Sequence, residues 1–162
     1  MGLVGLVGLA AWGAGTATAQ VTPEAAADLS LPEWAAGSIH GSPALAPFEV
    51  VYRLNPYYQQ GDFDGDGRLD LAVLIRRRTT HQEGVVIVHR SDLSVHVVGA
   101  GRALGNGGDD FSWLDQWFVQ ERSVLHDARA RGRDVLYVGK SESGGGLIWW
   151  NGRAYMWAQW GD

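Results

Sequence analysis

The chain has 162 residues, no cysteine, and a formal net charge of −5 from 13 basic and 18 acidic side chains. Without cysteine it cannot be a disulfide-stapled scaffold. Its mild acidity, with basic runs too short to reverse it, argues against nucleic acid as a partner.

Residues 1–12 are apolar and uncharged, and small residues follow as far as Ala17-Thr18-Ala19-Gln20. An Ala-x-Ala site after an apolar stretch is the pattern of a secretory signal peptide over residues 1–19. No Lys or Arg precedes the apolar run. A membrane anchor is the rival reading, but the run is short and rich in glycine, so no membrane span is expected after processing. The implied location is periplasmic or secreted. Residues 20–47 are rich in Ala and Pro and read as a flexible leader, with at most a short helix near 23–29. Residues 48–162 then form a single domain, and the exported portion of about 143 residues is long enough to bury one core.

Residues 48–54 have strand composition, and Asn55-Pro56 breaks the run. Next comes Gly61-Asp62-Phe63-Asp64-Gly65-Asp66-Gly67-Arg68-Leu69-Asp70-Leu71, with aspartates at relative positions 1, 3, 5 and 9. Alternating Asp62, Asp64 and Asp66 can converge on one point, and Gly67 at position 6 permits the sharp turn such a loop needs. Arg68 at position 7 would offer its carbonyl while its side chain points away. Asp70 would close the site directly or through water. Four carboxylates this close repel one another unless a cation sits among them, so the loop reads as a Ca2+ site. The alternative is a hydrophilic Asp-Gly turn without an ion. At position 12, where an EF-hand carries a bidentate Glu, stands Val73, inside Leu69-Asp70-Leu71-Ala72-Val73-Leu74-Ile75. A short aliphatic run of this kind reads as a buried strand.

The loop followed by Asp70-Leu71-Ala72-Val73 resembles the calcium-binding segment of FG-GAP and VCBS-type repeats over about fifteen residues. The resemblance implies ligand roles for Asp62, Asp64, Asp66, the Arg68 carbonyl and Asp70, and a loop leading into a β-strand. No second copy of the motif occurs, so the many-bladed propeller of those families is not expected here.

Residues 85–90 and 93–98 flank Ser91-Asp92 and should pair as a hairpin. Glycines from Gly99 to Gly108 mark a loop; residues 110–131 suit either element, a short helix over 110–117 with Asp110 as N-cap or, from Trp117-Phe118-Val119, a strand. Residues 135–138 read as a strand. Residues 147–150 and 153–157 flank Asn151-Gly152, a strong hairpin signal. A two-residue turn would set Trp150 opposite Arg153, Ile148 opposite Tyr155, and Gly146 opposite Trp157. The fold class is therefore mainly β: an antiparallel sheet of hairpins with one or two short helices and a DxDGDGxxD loop leading into a strand.

Both faces of the last hairpin are apolar. One reading makes them core; the other makes Trp150, Tyr155 and Trp157 with Arg153 an aromatic platform for a glycan or protein partner in the cell envelope. The five histidines, at 40, 81, 89, 96 and 126, show no metal spacing and read as surface or edge residues, although His89 and His96 could meet across neighbouring strands. Ser141-Glu142-Ser143 and Gly99-Ala100-Gly101 lack the settings of a nucleophile elbow or a dinucleotide loop. With no catalytic constellation, the leading function is an exported, non-catalytic calcium-binding domain. The alternatives are a cell-envelope interaction protein, such as an enzyme inhibitor or immunity-type protein, and a hydrolase.

Overall fold

The aliphatic run after the aspartate loop is the central strand of the first of two sheets. A computed structural model describes Thr22, residues 30–120 and residues 132–161. Strand β3 (Asp70–Arg77) pairs on one side with β1 (Phe48–Val50) and β2 (Tyr58–Gly61), each covering half its length. On its other side lies β4 (Glu83–Val88), followed by β5 (Val95–Gly99) at the sheet edge. The second sheet is a meander of β6 (Gln116–Gln120), β7 (Val135–Lys140), β8 (Gly144–Trp150) and β9 (Tyr155–Trp160). All pairings are antiparallel, and the chain is mainly β as its sequence implies.

Successive residues of a strand face opposite ways, so β3 must satisfy two cores at once. Ala72 and Leu74 point between the sheets, where they join Val85, Ile87, Val98, Phe111, Leu114, Trp117, Leu136, Val138 and Ile148. Leu71, Val73 and Ile75 point the other way, with Val86 and Val88, under the only described helix. That double burial is why the run is apolar throughout instead of alternating.

This helix, α1 (Glu33–Gly41), corrects the leader reading for residues 31–47. Leu31, Ala35 and Ile39 recur at intervals of four and are buried on the outer face of the first sheet, and Leu45 follows them. Fully burying each Leu or Ile contributes about 1.5–3 kcal/mol, so this segment belongs to the fold instead of trailing from it. Pro32 supplies the carbonyl that receives the first helical N–H groups, from Ala35 and Ala36 at 2.9 and 3.0 Å. The helix expected near 23–29, the signal-peptide segment and residues 121–131 lie outside the described residues.

The helix expected over residues 110–117 is a turn followed by β6. Asp110 does cap backbone, but as an Asx turn: its Oδ1 accepts the N–H groups of Ser112 at 3.0 Å and of Glu83 at 2.9 Å. Tying the chain to β4 in this way lets Phe111 and Leu114 close the end of the inter-sheet core. The hairpin of β4 and β5 keeps the expected register, Val88 opposite Val95, but residues 90–93 form a longer connection closed by Leu93 N–H to His89 O at 2.9 Å.

The β8–β9 hairpin differs from expectation by two residues. Asn151 Oδ1 accepts the N–H groups of Arg153 and Ala154 at 2.8 and 2.9 Å, so residues 151–154 all belong to the turn. Trp150 therefore faces Tyr155, Ile148 faces Trp157, and Gly146 faces Gln159. A shift of two leaves the faces unchanged, because the side-chain period is two. Among the described residues no helix is long and apolar enough to cross a membrane.

Candidate metal centre

The aspartate loop spans the gap between β2 and β3, and its own carboxylates hold it in shape. Asp62 is buried; its Oδ1 accepts the Gly65 N–H at 2.9 Å and its Oδ2 the Gly67 N–H at 3.1 Å. Asp64 Oδ1 accepts the Asp66 N–H at 3.0 Å, and Asp66 Oδ1 accepts the Arg68 N–H at 2.7 Å. Gly65 and Gly67 have φ of +86° and +87°, a region closed to most residues with a Cβ. Phe63, between the first two aspartates, is fully buried in the inter-sheet core and anchors the loop to it.

These contacts bring the side chains of Asp62, Asp64 and Asp66 together, with one ligand atom from each within 4.8 Å of the others. Calcium–oxygen bonds measure about 2.3–2.6 Å, so two ligands on opposite sides of one ion stand about 5 Å apart. Three carboxylates at this spacing could hold a cation, and every donor in the set is oxygen. Each carboxylate oxygen has two lone-pair directions, so accepting one N–H leaves room for an ion. Arg68 is exposed. Instead of pointing wholly away, its guanidinium lies 4.0 Å from Asp66 Oδ2, a distant surface pair worth little.

Asp70 has a different setting. It is fully buried at the start of β3; its Oδ2 accepts the N–H groups of Phe63 and Asp64 at 3.0 and 3.2 Å, and its Oδ1 that of Arg90 at 2.9 Å. Burial, with the nearby Asp64 charge, raises its pKa from 3.8 to about 6 against the pull of those N–H groups. Asp70 groups with Asp64 and His89 rather than with Asp62 and Asp66. It ties the loop to the β4–β5 turn.

The neighbouring strands of His89 and His96 anticipate their contact, but not the burial of His89. His89 is 4 % exposed, which corrects the expectation of a surface histidine. Its Nε2 lies 2.7 Å from the Tyr155 hydroxyl and its Nδ1 3.7 Å from Asp64 Oδ2. Its ring also meets that of His96 at 4.3 Å and that of Trp150 at 5.0 Å. Burial lowers the pKa of His89 although the carboxylates of Asp64, Asp92 and Asp66 pull the other way; burial and then His89 lower that of His96. Both rings therefore favour the neutral form. Ser91 adds a hydroxyl to Asp64 Oδ2 at 3.2 Å. Arg133 and Asp134, from just before β7, complete the surroundings: Arg133 Nε donates to the Asp64 carbonyl at 2.8 Å, and Asp134 bonds the backbone of Asp62. A methyl on Gly65 would lie 2.9 Å from Arg133 Cγ, so this glycine serves both the turn and the approach of Arg133.

The aromatic hairpin faces inward. Tyr155 is buried, and Trp150 and Trp157 pack against the inter-sheet core. Trp157 lies over Gly146 and against Gly107, where added methyl groups would collide with its indole. Arg153 is exposed in the turn. No protein-family model, curated protein or solved structure matches this chain.

Proposed function

We propose that this chain is an exported, non-catalytic calcium-binding domain whose ion stabilises the junction between the Asp62–Asp70 loop and β3. The observation that carries the reading is the convergence of Asp62, Asp64 and Asp66 within 4.8 Å in a glycine-turned loop of oxygen donors. The Arg68 carbonyl and Asp70 would complete the set that the repeat-like spacing suggests. Val73 occupies the place of the bidentate Glu and is buried in β3, so affinity should be that of extracellular modules, with a Kd on the order of 10⁻⁴–10⁻³ M. A site this weak fills outside a cell and stays mostly empty in cytoplasm, in keeping with the apolar N-terminal run and its Ala-x-Ala site.

Isothermal titration of the chain lacking residues 1–19 tests the binding. One calcium per chain is expected; a flat trace at millimolar calcium, or a stoichiometry clearly above one, would overturn it. Intact-mass measurement of the exported protein should give a chain beginning at Gln20.

A further inference from the structure

Among the described residues no strand pairs with the outer side of β5, and the hydrogen-bond alternation shows which backbone groups are left over. His89 donates to the Ser94 carbonyl at 3.0 Å and Ala100 to the Glu83 carbonyl at 2.8 Å, both in register with the β4–β5 ladder. In an antiparallel pair every second residue turns its backbone to the partner. Ser94, His96, Val98 and Ala100 therefore face β4, while Val95 and Val97 present N–H and C=O outward. Gly99 uses its outward groups in a bridge with Arg102, at 3.1 and 2.9 Å. The groups of Val95 and Val97 have no backbone partner among the described residues. The strand, Val-His-Val-Val-Gly, has none of the Lys, Pro or bulge devices that usually guard such an edge.

The open edge forms one wall of a groove of about 350 Å³. Arg102 lies past one end of the strand, and Arg153, on the β8–β9 turn, stands beside the same groove. Both arginines are exposed, neither pairs with a carboxylate among the described residues, and no acidic side chain lines the groove. On the strand's own hairpin Asp92 is held in its turn by the Ser94 N–H at 2.9 Å, and Glu83 is buried and paired with Arg53 and Arg76. On a chain of net charge −5, an acid-free groove with two arginines selects for negative charge.

We propose that β5 is a docking edge for an extended acidic peptide. The peptide adds as a further strand, exchanging backbone hydrogen bonds with Val95 and Val97 while its carboxylates meet Arg102 and Arg153.

The probe is an acetylated hexapeptide of alternating valine and glutamate, titrated into the full chain in calcium and again in chelator, so that this result stands apart from the calcium reading. A lysine-for-glutamate peptide is the control. One-to-one binding is expected, with an affinity at least about tenfold above the control. Val97→Pro removes an outward N–H and leaves the ladder bonds of His96 and Val98 to β4 in place. It also trims a side chain that packs beneath the helix, so thermal unfolding and the Val97→Ala variant, which keeps the N–H, serve as controls. Affinity for the acidic peptide should fall about tenfold for Val97→Pro alone. The exposed pair Arg102→Glu with Arg153→Glu should reverse the preference between the two peptides. Equal affinity for both, binding unaltered by Val97→Pro, or no binding at 1 mM peptide (about the weakest affinity worth assigning) would overturn the proposal. Concentration-dependent self-association abolished by Val97→Pro, without peptide binding, would instead give the edge to a second copy of the chain.

Discussion

Asp134 holds Asp62 by its backbone from 72 residues away: the Asp134 carboxylate accepts the Asp62 N–H at 2.9 Å, and the Asp134 N–H returns to the Asp62 carbonyl at 2.8 Å. The first candidate ligand of the loop is thereby fastened to the entry of β7 in the opposite sheet. Asp134→Ala should cost about 1–2 kcal/mol of stability in denaturant titration, because a partly buried N–H loses its acceptor. Calcium affinity should fall several-fold although no ligand has been removed. Asp134→Asn, which keeps an acceptor oxygen, should recover most of both.

Asp62 and Asp66 should separate structure from ion binding. Asp62→Ala strands two loop N–H groups and should destabilise by about 2–3 kcal/mol even in chelator. Asp66 is exposed and accepts one exposed N–H, so Asp66→Ala should cost under about 0.5 kcal/mol in chelator yet abolish the calcium response. Thermal unfolding of both variants, with and without calcium, reads the difference. An Asp66→Ala protein that still responds to calcium would remove Asp66 from the ligand set.

Asp70 sets a pH dependence. Its pKa is higher folded, at about 6, than the ordinary 3.8, chiefly because burial disfavours the charge. The neutral acid is therefore the form the fold favours. That contribution is fully present below about pH 4 and is lost as pH rises through about 6, amounting to about 3 kcal/mol. In chelator, unfolding free energy should show this downward component between pH 4 and 6, and Asp70→Asn should flatten it. Saturating calcium, which favours the carboxylate, should flatten it as well.

Calcium should adjust stability without creating the fold. Loop carboxylates already hold Gly65, Gly67, Asp66 and Arg68 through backbone bonds, and the large cores lie elsewhere. At tenfold saturation, binding to the native state adds about 1.4 kcal/mol, which raises Tm by about 3–6 °C. Circular dichroism in chelator should show a folded β protein; an unfolded chain would contradict this account of the core.

What could be read from the sequence was local. The Asp62–Asp70 spacing placed the loop, and the run from Leu71 to Ile75 placed β3, because both are contiguous and periodic. The face assignments of Trp150, Tyr155 and Trp157 survived a two-residue change in register, since only an odd slip moves a side chain across a sheet. The turn itself differs from the Asn-Gly expectation because Asn151 uses its side chain to enclose four residues rather than two. Helix α1 did carry a signal: Leu31, Ala35 and Ile39 at intervals of four, with Pro32 at the helix start, obscured by the surrounding Ala, Ser and Gly. His89, Tyr155, Arg133 and Asp134 left no comparable trace. Their partners are distant in sequence, and no periodicity links residues that meet only when two sheets close.

The tether between Asp62 and Asp134 also limits how portable the loop is. Residues 62–70 carry every proposed calcium ligand, yet their backbone is also held by Arg133 and Asp134, from a part of the chain translated much later. Grafted alone onto another hairpin, the same letters would bring the carboxylates without the frame that aims them. A nascent chain would likewise lack this tether until the second sheet had emerged and docked.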